Sequence, residues 1–430
     1  MKKVGIFFIL ILLLVPQQRA CAEEALMWAD CLAEAKKNNP DLISASENIN
    51  QQKAGKTITA SSLFPQINAS ADATRQKTSS SAGSTSSSSK NPATNSYSYG
   101  VSGSQLIFDG FKTINNINAA NENINAAGQN YRFVSSQVRL DLRGAFVRLL
   151  KAQELIRVTE EIVKIRKDNL DLISLRYESG LEHKGALLTA EANLAQANSE
   201  LSAAKRNIEF AKRQLSKEMG QKEFSPMRAK GEFVVADAAA EKPDFEEIVK
   251  NNPSLLQAAA KKSSAAYGVK SAYGNFSPQL TGTAGANRTD SSWPPQNDRW
   301  NIGLSLSVPI FEGGLRLAQV SQAKSIYRQA EEDARSIKDA AVVSLEQTWA
   351  SLRDAIENID VQLKYLEATQ ERSNIAQAQY STGFITFDNW IIIENDLVGA
   401  KRAYLETQAN ALLAEANWVQ AKGETLEYAQ

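Results

Sequence analysis

A single histidine, two cysteines and an aromatic share of 7% are the conspicuous shortages of this 430-residue chain. One histidine excludes a His-rich metal cluster. Because Cys21 falls inside an N-terminal export signal, Cys31 stands alone and an intrachain disulfide is excluded. Beyond that signal no apolar run reaches the roughly 20 residues that a membrane-spanning helix needs. Neither a nucleophile elbow nor a phosphate-cradling loop is present, so the sequence offers little to an enzyme and implies no cofactor and no metal. Charge is also balanced, 48 basic residues against 48 acidic ones. Removing Lys2, Lys3 and Arg19 with the signal leaves the remainder close to −3, which speaks against nucleic acid as a partner.

Residues 1–22 have the three regions of a secretory signal: Lys2 and Lys3, the apolar run Gly5 to Val15, and Ala20-Cys21-Ala22. The mature chain is expected to begin near Glu23. Cys21 behind Ala20 also suits a lipoprotein, against which stand Gln18 and Arg19, where a lipobox places small or aliphatic residues. The end at Gln430, soon after the last helical segment, is expected to leave no large C-terminal extension.

What the chain has in quantity is internal repetition. Lys37-Asn38-Asn39-Pro40 recurs as Lys250-Asn251-Asn252-Pro253, and Pro65-Gln66-Ile67 as Pro278-Gln279-Leu280, at an offset of 213. Ile107-Phe108-Asp109-Gly110 recurs as Ile310-Phe311-Glu312-Gly313, and Tyr177 and Gly180 as Tyr380 and Gly383, at an offset of 203. The change of offset falls in the Ser-rich stretch Thr78 to Asn91, a difference in loop length. Two copies of one unit account for these matches. The expected organisation is a signal over 1–22, a first repeat over 23–219, a linker over 220–243 that includes a strand-like Glu232-Phe233-Val234-Val235, and a second repeat over 244–430.

Within each copy, about Phe111 to Ser179 and Leu315 to Thr382 contain no proline and repeat apolar residues by heptads. Leu142, Leu149, Ile156, Val163 and Leu170 form one stripe, continued by Leu345, Leu352, Ile359, Leu366 and Ser373. A second stripe, Val158, Ile165 and Leu172, is out of phase, so this helix has neighbours on more than one side. Such a helix is on the order of 100 Å long. Half-length helices are expected over Leu26 to Ser61, Gly185 to Met219, Phe245 to Tyr273 and Asp388 to Lys422. Leu187, Leu194, Leu201, Ile208 and Leu215 keep a heptad there, with Trp390, Leu397, Tyr404, Ala411 and Trp418 in the equivalent places. Heptads alone also fit an ordinary coiled coil.

The strands argue for something else. In Arg299 to Val308, Trp300, Ile302, Leu304, Leu306 and Val308 alternate with Asn301, Gly303, Ser305 and Ser307. The earlier counterpart sets Tyr97, Tyr99 and Val101 against Ser98, Gly100 and Ser102. Each follows another alternating run, Gln66 to Arg75 or Gln279 to Arg288, across a polar loop. A hairpin on a soluble core is one reading. Against it stand a length of about 10 residues, a polar face of Ser, Asn, Thr and Gly, and a cluster of Trp293, Trp300, Tyr97 and Tyr99 at the loop end, all suited to a wall between lipid and water. Four strands leave open edges that lipid cannot satisfy, and eight make a barrel filled by its own side chains. A trimer with 12 strands leaves room for a pore.

The Asn-Asn-Pro near the start of each copy, the Pro-Gln before each first strand, the Ile-Phe-Asp/Glu-Gly after each second strand and the paired Tyr-x-x-Gly turns resemble the TolC-like outer-membrane efflux family, over nearly the whole mature chain. The resemblance implies a mainly α protein with a small β part. Coiled-coil-like helices would form a periplasmic α-barrel, and each subunit of a homotrimer would add four strands to an outer-membrane β-barrel set in lipid. It implies a passive exit duct of a tripartite efflux or type I secretion system, with a periplasmic adaptor and an inner-membrane pump or ABC exporter as partners. Tyr177, Gly180, Leu181, Tyr380, Gly383 and Phe384 would then form the adaptor-docking hairpin tips, and Asp388 and Asn389 would lie near the periplasmic aperture. Asn389 and Ile392 stand where relatives often carry acids, so an aspartate ring is incomplete here. His183 and Lys184 read as solvated turn residues, and the linker as part of a belt around the tube. A structural or adhesive coiled-coil trimer anchored by a barrel is the alternative; it would not transport.

Overall fold

A computed structural model describes residues 24–77, 93–235 and 241–427. The expected signal over 1–22, with Cys21, and the Ser-rich loop Thr78 to Asn91 lie outside the described residues. In order, the elements are β1 (Glu24–Leu26), α1 (Trp28–Asn38), α2 (Pro40–Ser61), β2 (Gln66–Gln76), β3 (Thr94–Phe108), α3 (Lys112–Glu178) and α4 (Lys184–Glu218). They are followed by β4 (Met227–Ala229), α5 (Phe245–Val249), α6 (Pro253–Gly274), β5 (Gln279–Asp290), β6 (Asn297–Ser307), α7 (Leu315–Ser381) and α8 (Phe387–Ala421). The two long helices have 67 residues each and the two that follow them 35 each.

Two expected helices are each broken in two. At Asn39-Pro40 the Asn39 side chain accepts from the N–H groups of Asp41 (3.0 Å) and Leu42 (3.3 Å), and at Asn252-Pro253 Asn252 accepts from Ser254 N–H (2.9 Å). Proline in the first turn has no N–H to leave unsatisfied, and asparagine before it caps the ones that remain. Asn-Asn-Pro is therefore a helix start, which the continuous readings Leu26 to Ser61 and Phe245 to Tyr273 ran through.

The chain divides into two compact units, each drawing on both halves of the sequence. One contains Leu142–Val234, Ile359–Leu412 and the segment ending at Asn38. Its core includes Val158, Ile162, Ala197, Val398 and Leu405. The seam that α4 buries is alanine, Ala190, Ala197, Ala204 and Ala211, seven residues apart, whereas Leu187, Leu194 and Leu201 are only half-buried. β1 and β4 pair in parallel, Glu24 facing Met227. The predicted strand Glu232 to Val235 does not form: the last rung, Lys230 N–H to Leu26 O (2.8 Å), coincides with the end of β1. With no partner left, Phe233 packs against the Val158 and Ile162 cluster instead. Cys31 is fully buried, and burial pushes its thiol up to about 12, so it is chemically quiet.

The other unit contains Asn39–Asp141, Val235–Asn358 and the segment from Leu413. Its helical core gathers Phe245, Val249, Leu345 and Ala421 with Trp349 and Trp418. Its sheet is antiparallel with strand order β2-β3-β5-β6.

Candidate functional site

Facing pairs in an antiparallel sheet share a face, so the register decides which side chains stand together. Val101 faces Ala69 on one side and Ala286 on the other, and Ala286 faces Trp300. Ile302 faces Ala284, Leu304 faces Gly282, and Leu306 faces Leu280. Tyr97 and Tyr99 fall on this same face, their rings 6.1 and 6.2 Å from that of Trp293. Asn68, Ser70, Asp72, Ser98, Ser102, Thr281, Thr283, Asn301 and Ser305 share the opposite face. Seven of the eight residues predicted to face lipid are thus brought together in one sheet. Val308 lies just past β6, which ends at Ser307 two residues before Pro309, whose nitrogen cannot donate to a ladder. β2 and β6 are the free edges of the sheet among the described residues.

The two helix–helix turns use one backbone device. Gly180 and Gly383 hold φ at +74° and +83°, and their N–H groups donate to the carbonyls of Tyr177 and Tyr380 (3.0 Å each). The N–H groups of Leu181 and Phe384 donate to the carbonyls of Arg176 and Gln379 (2.8 Å each). This is the Schellman closure, whose left-handed residue favours glycine. It leaves Leu181 and Phe384 67% and 84% exposed.

The tyrosines of the two turns differ. Tyr177 is 38% exposed, but Tyr380 is 1% exposed, so Tyr380 offers no surface to a docking partner and instead builds the tip. Its ring stacks on Trp390 (4.3 Å, 12°), and its hydroxyl donates to Glu182 Oε2 (2.7 Å). The Arg176 guanidinium lies 4.8 Å from the ring centre and donates to the carbonyls of Tyr380 (3.2 Å) and Ser381 (3.3 Å). Burial, reinforced by the Glu182 carboxylate, pushes the Tyr380 phenol upward and keeps it a donor.

His183, read as a solvated turn residue, has an exposed side chain that nonetheless caps α4, its Nδ1 accepting the Ala186 N–H (3.1 Å). Lys184 begins that helix. Asp388 and Asn389 are exposed in the first turn of α8, between the buried Phe387 and Trp390. Asp388 sits where a helix favours negative charge.

A buried polar cluster escaped the sequence reading. Glu394, 3% exposed, accepts from Ser373 Oγ and from Asn169 Nδ2 (3.3 Å), while Arg166 Nη2 donates to Asn395 Oδ1 (2.6 Å). Burial lowers the Arg166 guanidinium from its ordinary value, and the Glu394 charge opposes that. Ser373 interrupting the Leu345–Leu366 stripe was the one visible signal. Among the described residues no group of three or more His, Cys, Asp or Glu side chains could hold a metal, and no helix is long and apolar enough to cross a membrane.

Residues 31–221 and 245–426 match the family model described as outer membrane efflux protein. Outer membrane efflux protein BepC of Brucella suis is 23% identical over 94% of this chain and 86% of its own length. Among solved structures, the outer membrane protein VceC of Vibrio cholerae superposes with a TM-score of 0.76 at 18% identity, over 92% of this chain and 96% of that one. The CmeC outer membrane channel of Campylobacter jejuni does so with a TM-score of 0.78 at 19% identity, over 91% and 84%.

Proposed function

Because this chain belongs to the outer membrane efflux protein family, we propose that it is the passive exit duct of a tripartite efflux or type I secretion system. It carries out no chemistry of its own. Three copies close a 12-stranded barrel, and a periplasmic adaptor joins the helical tips to an inner-membrane pump or ABC exporter that supplies the energy.

The observation that carries this reading is the four-stranded sheet: one face holds an apolar band from Val101 and Trp300 to Leu306 with the Arg288–Asp298 ion pair toward its loop end, the opposite face is polar, and both edges are open. An unpaired edge in hydrocarbon costs several kcal/mol for each unsatisfied group, so the sheet requires partners in lipid. With Trp300, Ile302, Leu304, Leu306, Tyr97, Tyr99, Val101 and Val308 toward lipid, the serine- and asparagine-rich face lines a wet lumen. Leu181 and Phe384, held out by Gly180 and Gly383, are apolar handles for the adaptor, with Tyr177 beside them. Asp388 and Asn389 stand near the aperture, which opens as the helical hairpins untwist.

Purified protein reconstituted into planar bilayers is expected to give discrete single-channel currents. Assembled protein that inserts but never conducts would instead favour a structural or adhesive role.

A further inference from the structure

Every second residue of a strand stands on the same face, and near the loop end of the sheet the face of Val101 and Trp300 carries charge. Arg75 of β2, Arg288 and Asp290 of β5 and Asp298 of β6 all lie on it. The helices leave the sheet from its other end, since α2 ends just before β2 and α3 begins just after β3. With the helical end in the periplasm, these charges stand in the outer leaflet, where Tyr99 faces Arg288 and Tyr97 faces Asp290.

The duplication makes the two arginines comparable. Arg75 and Arg288 are related by the offset of 213 that relates Gln66 to Gln279, and the residues they face, Asn95 and Asp298, by the offset of 203. In the second repeat the guanidinium is neutralised: Arg288 Nε donates to Asp298 Oδ1, and Nη2 to Oδ2 at 3.5 Å. In the first repeat the facing residue is the neutral Asn95, and Arg75 is exposed with no hydrogen bond or ion pair among the described residues. Asp290, the other acid on this face, is taken up by its own turn, accepting from the N–H groups of Ser291 (2.7 Å) and Gln296 (3.4 Å). Lys77, next but one after Arg75, adds to the positive surplus.

A guanidinium at the lipid surface without an acid of its own is stabilised by an external anion, and the anions at that depth are lipid phosphates. The surroundings suit a sugar and acyl chains as well. Tyr97, Tyr99 and Trp293 cluster their rings there, and a groove of about 700 Å³ crosses the same face between Tyr99, Arg288 and Asp298 on one side and Val101, Ala286 and Trp300 on the other. We propose that Arg75 binds the phosphate of a phosphorylated glycolipid of the outer leaflet, and that Asp298 keeps the equivalent site at Arg288 closed. The inference goes beyond the duct and rests on the proposed function only for which face meets lipid.

Assembled full-length protein, purified in detergent and titrated under native mass spectrometry with bisphosphorylated lipid A and with the same lipid dephosphorylated, tests it. The wild type is expected to bind the phosphorylated form about tenfold more tightly, the effect of one charge-assisted hydrogen bond. Arg75→Gln should lose that preference, and Arg75→Lys, which keeps the charge, should retain most of it. Adding Asp298→Asn to Arg75→Gln frees Arg288 and should bring the preference back, which a merely structural defect at position 75 would not allow. Millimolar inorganic phosphate should leave lipid occupancy unchanged. Equal binding of both lipids by the wild type, an undiminished preference in Arg75→Gln, a double variant as weak as Arg75→Gln, or displacement by inorganic phosphate would each overturn the site. Single-channel currents are read in parallel. Conducting protein without a phosphate preference sinks the lipid site and leaves the duct standing, whereas a phosphate preference in protein that never conducts does the reverse.

Discussion

Tyr177 and Tyr380 occupy the same place in the two repeats and do different things: Tyr380 is buried and donates to Glu182, whereas Tyr177 is exposed. Glu182 has a side chain only 10% exposed, so losing its donor leaves a largely buried acceptor short of a partner. Tyr380→Phe is therefore expected to loosen the tip by about 1–3 kcal/mol, read as faster amide hydrogen exchange around both turns, while Tyr177→Phe leaves exchange unchanged. The pH dependence has a definite sign. A phenol raised above its ordinary value of about 10 contributes stability that is fully present below that value and is lost only as pH rises through the higher folded value. Protection of the tip amides, corrected for intrinsic exchange, should stay flat between pH 8 and 9 in the wild type. A Tyr380-dependent loss within that window would contradict the assignment of the proton to the phenol.

Ser373 shows how an element can depart from its own pattern for a reason. It holds the stripe position of Leu170 in the other repeat, but Leu170 packs among apolar groups and Ser373 donates to the buried Glu394. Ser373→Leu removes that donor and adds volume to a filled site, so a loss on the order of 2–4 kcal/mol is expected from the two effects together. Thermal melts of Ser373→Leu, Glu394→Leu and the double variant form a cycle, and independent, additive losses would show that the two residues do not act as a pair. Such pairings are what a single sequence hides. Alternation from Gln66, Gln279 and Trp300 onward made the strands and their apolar face legible, and proline-free heptads did the same for α3 and α7. The break at Asn39-Pro40 was legible in principle, since asparagine before proline is a capping signal, but heptad counting passed over it. The alanine seam of α4 was missed because a search for large apolar residues finds the half-buried leucines beside it. Phe233 alternated like a strand residue, yet its strand needed a partner longer than β1. Glu394, Asn169 and Arg166 lie far apart in the chain, and no local pattern announces their meeting.

Duplication gives the whole molecule two of everything, and the two copies are then used unequally. In the sheet, the first repeat's second strand is covered while the second repeat's is bare; at the tips, the second repeat's tyrosine is buried while the first repeat's is exposed. What stays equal is the pair of Schellman turns with an apolar residue thrust outward after each glycine. Backbone geometry needs the glycine at these turns, but it does not need Leu181 or Phe384 to be large and bare, which points to a use outside the chain. Covering one such side chain contributes about 1.5–3 kcal/mol, so Leu181→Asp or Phe384→Asp should each weaken adaptor binding roughly 10- to 100-fold. Neither residue belongs to the Tyr380–Trp390 stack, so melting temperature and single-channel currents of the purified protein should remain those of the wild type. Site-specific cross-linking to the adaptor in cells, scored beside those two controls, separates docking from folding. Full cross-linking by both aspartate variants would remove the tips from the docking surface, and loss of conductance along with cross-linking would make Leu181 and Phe384 part of the channel's own packing.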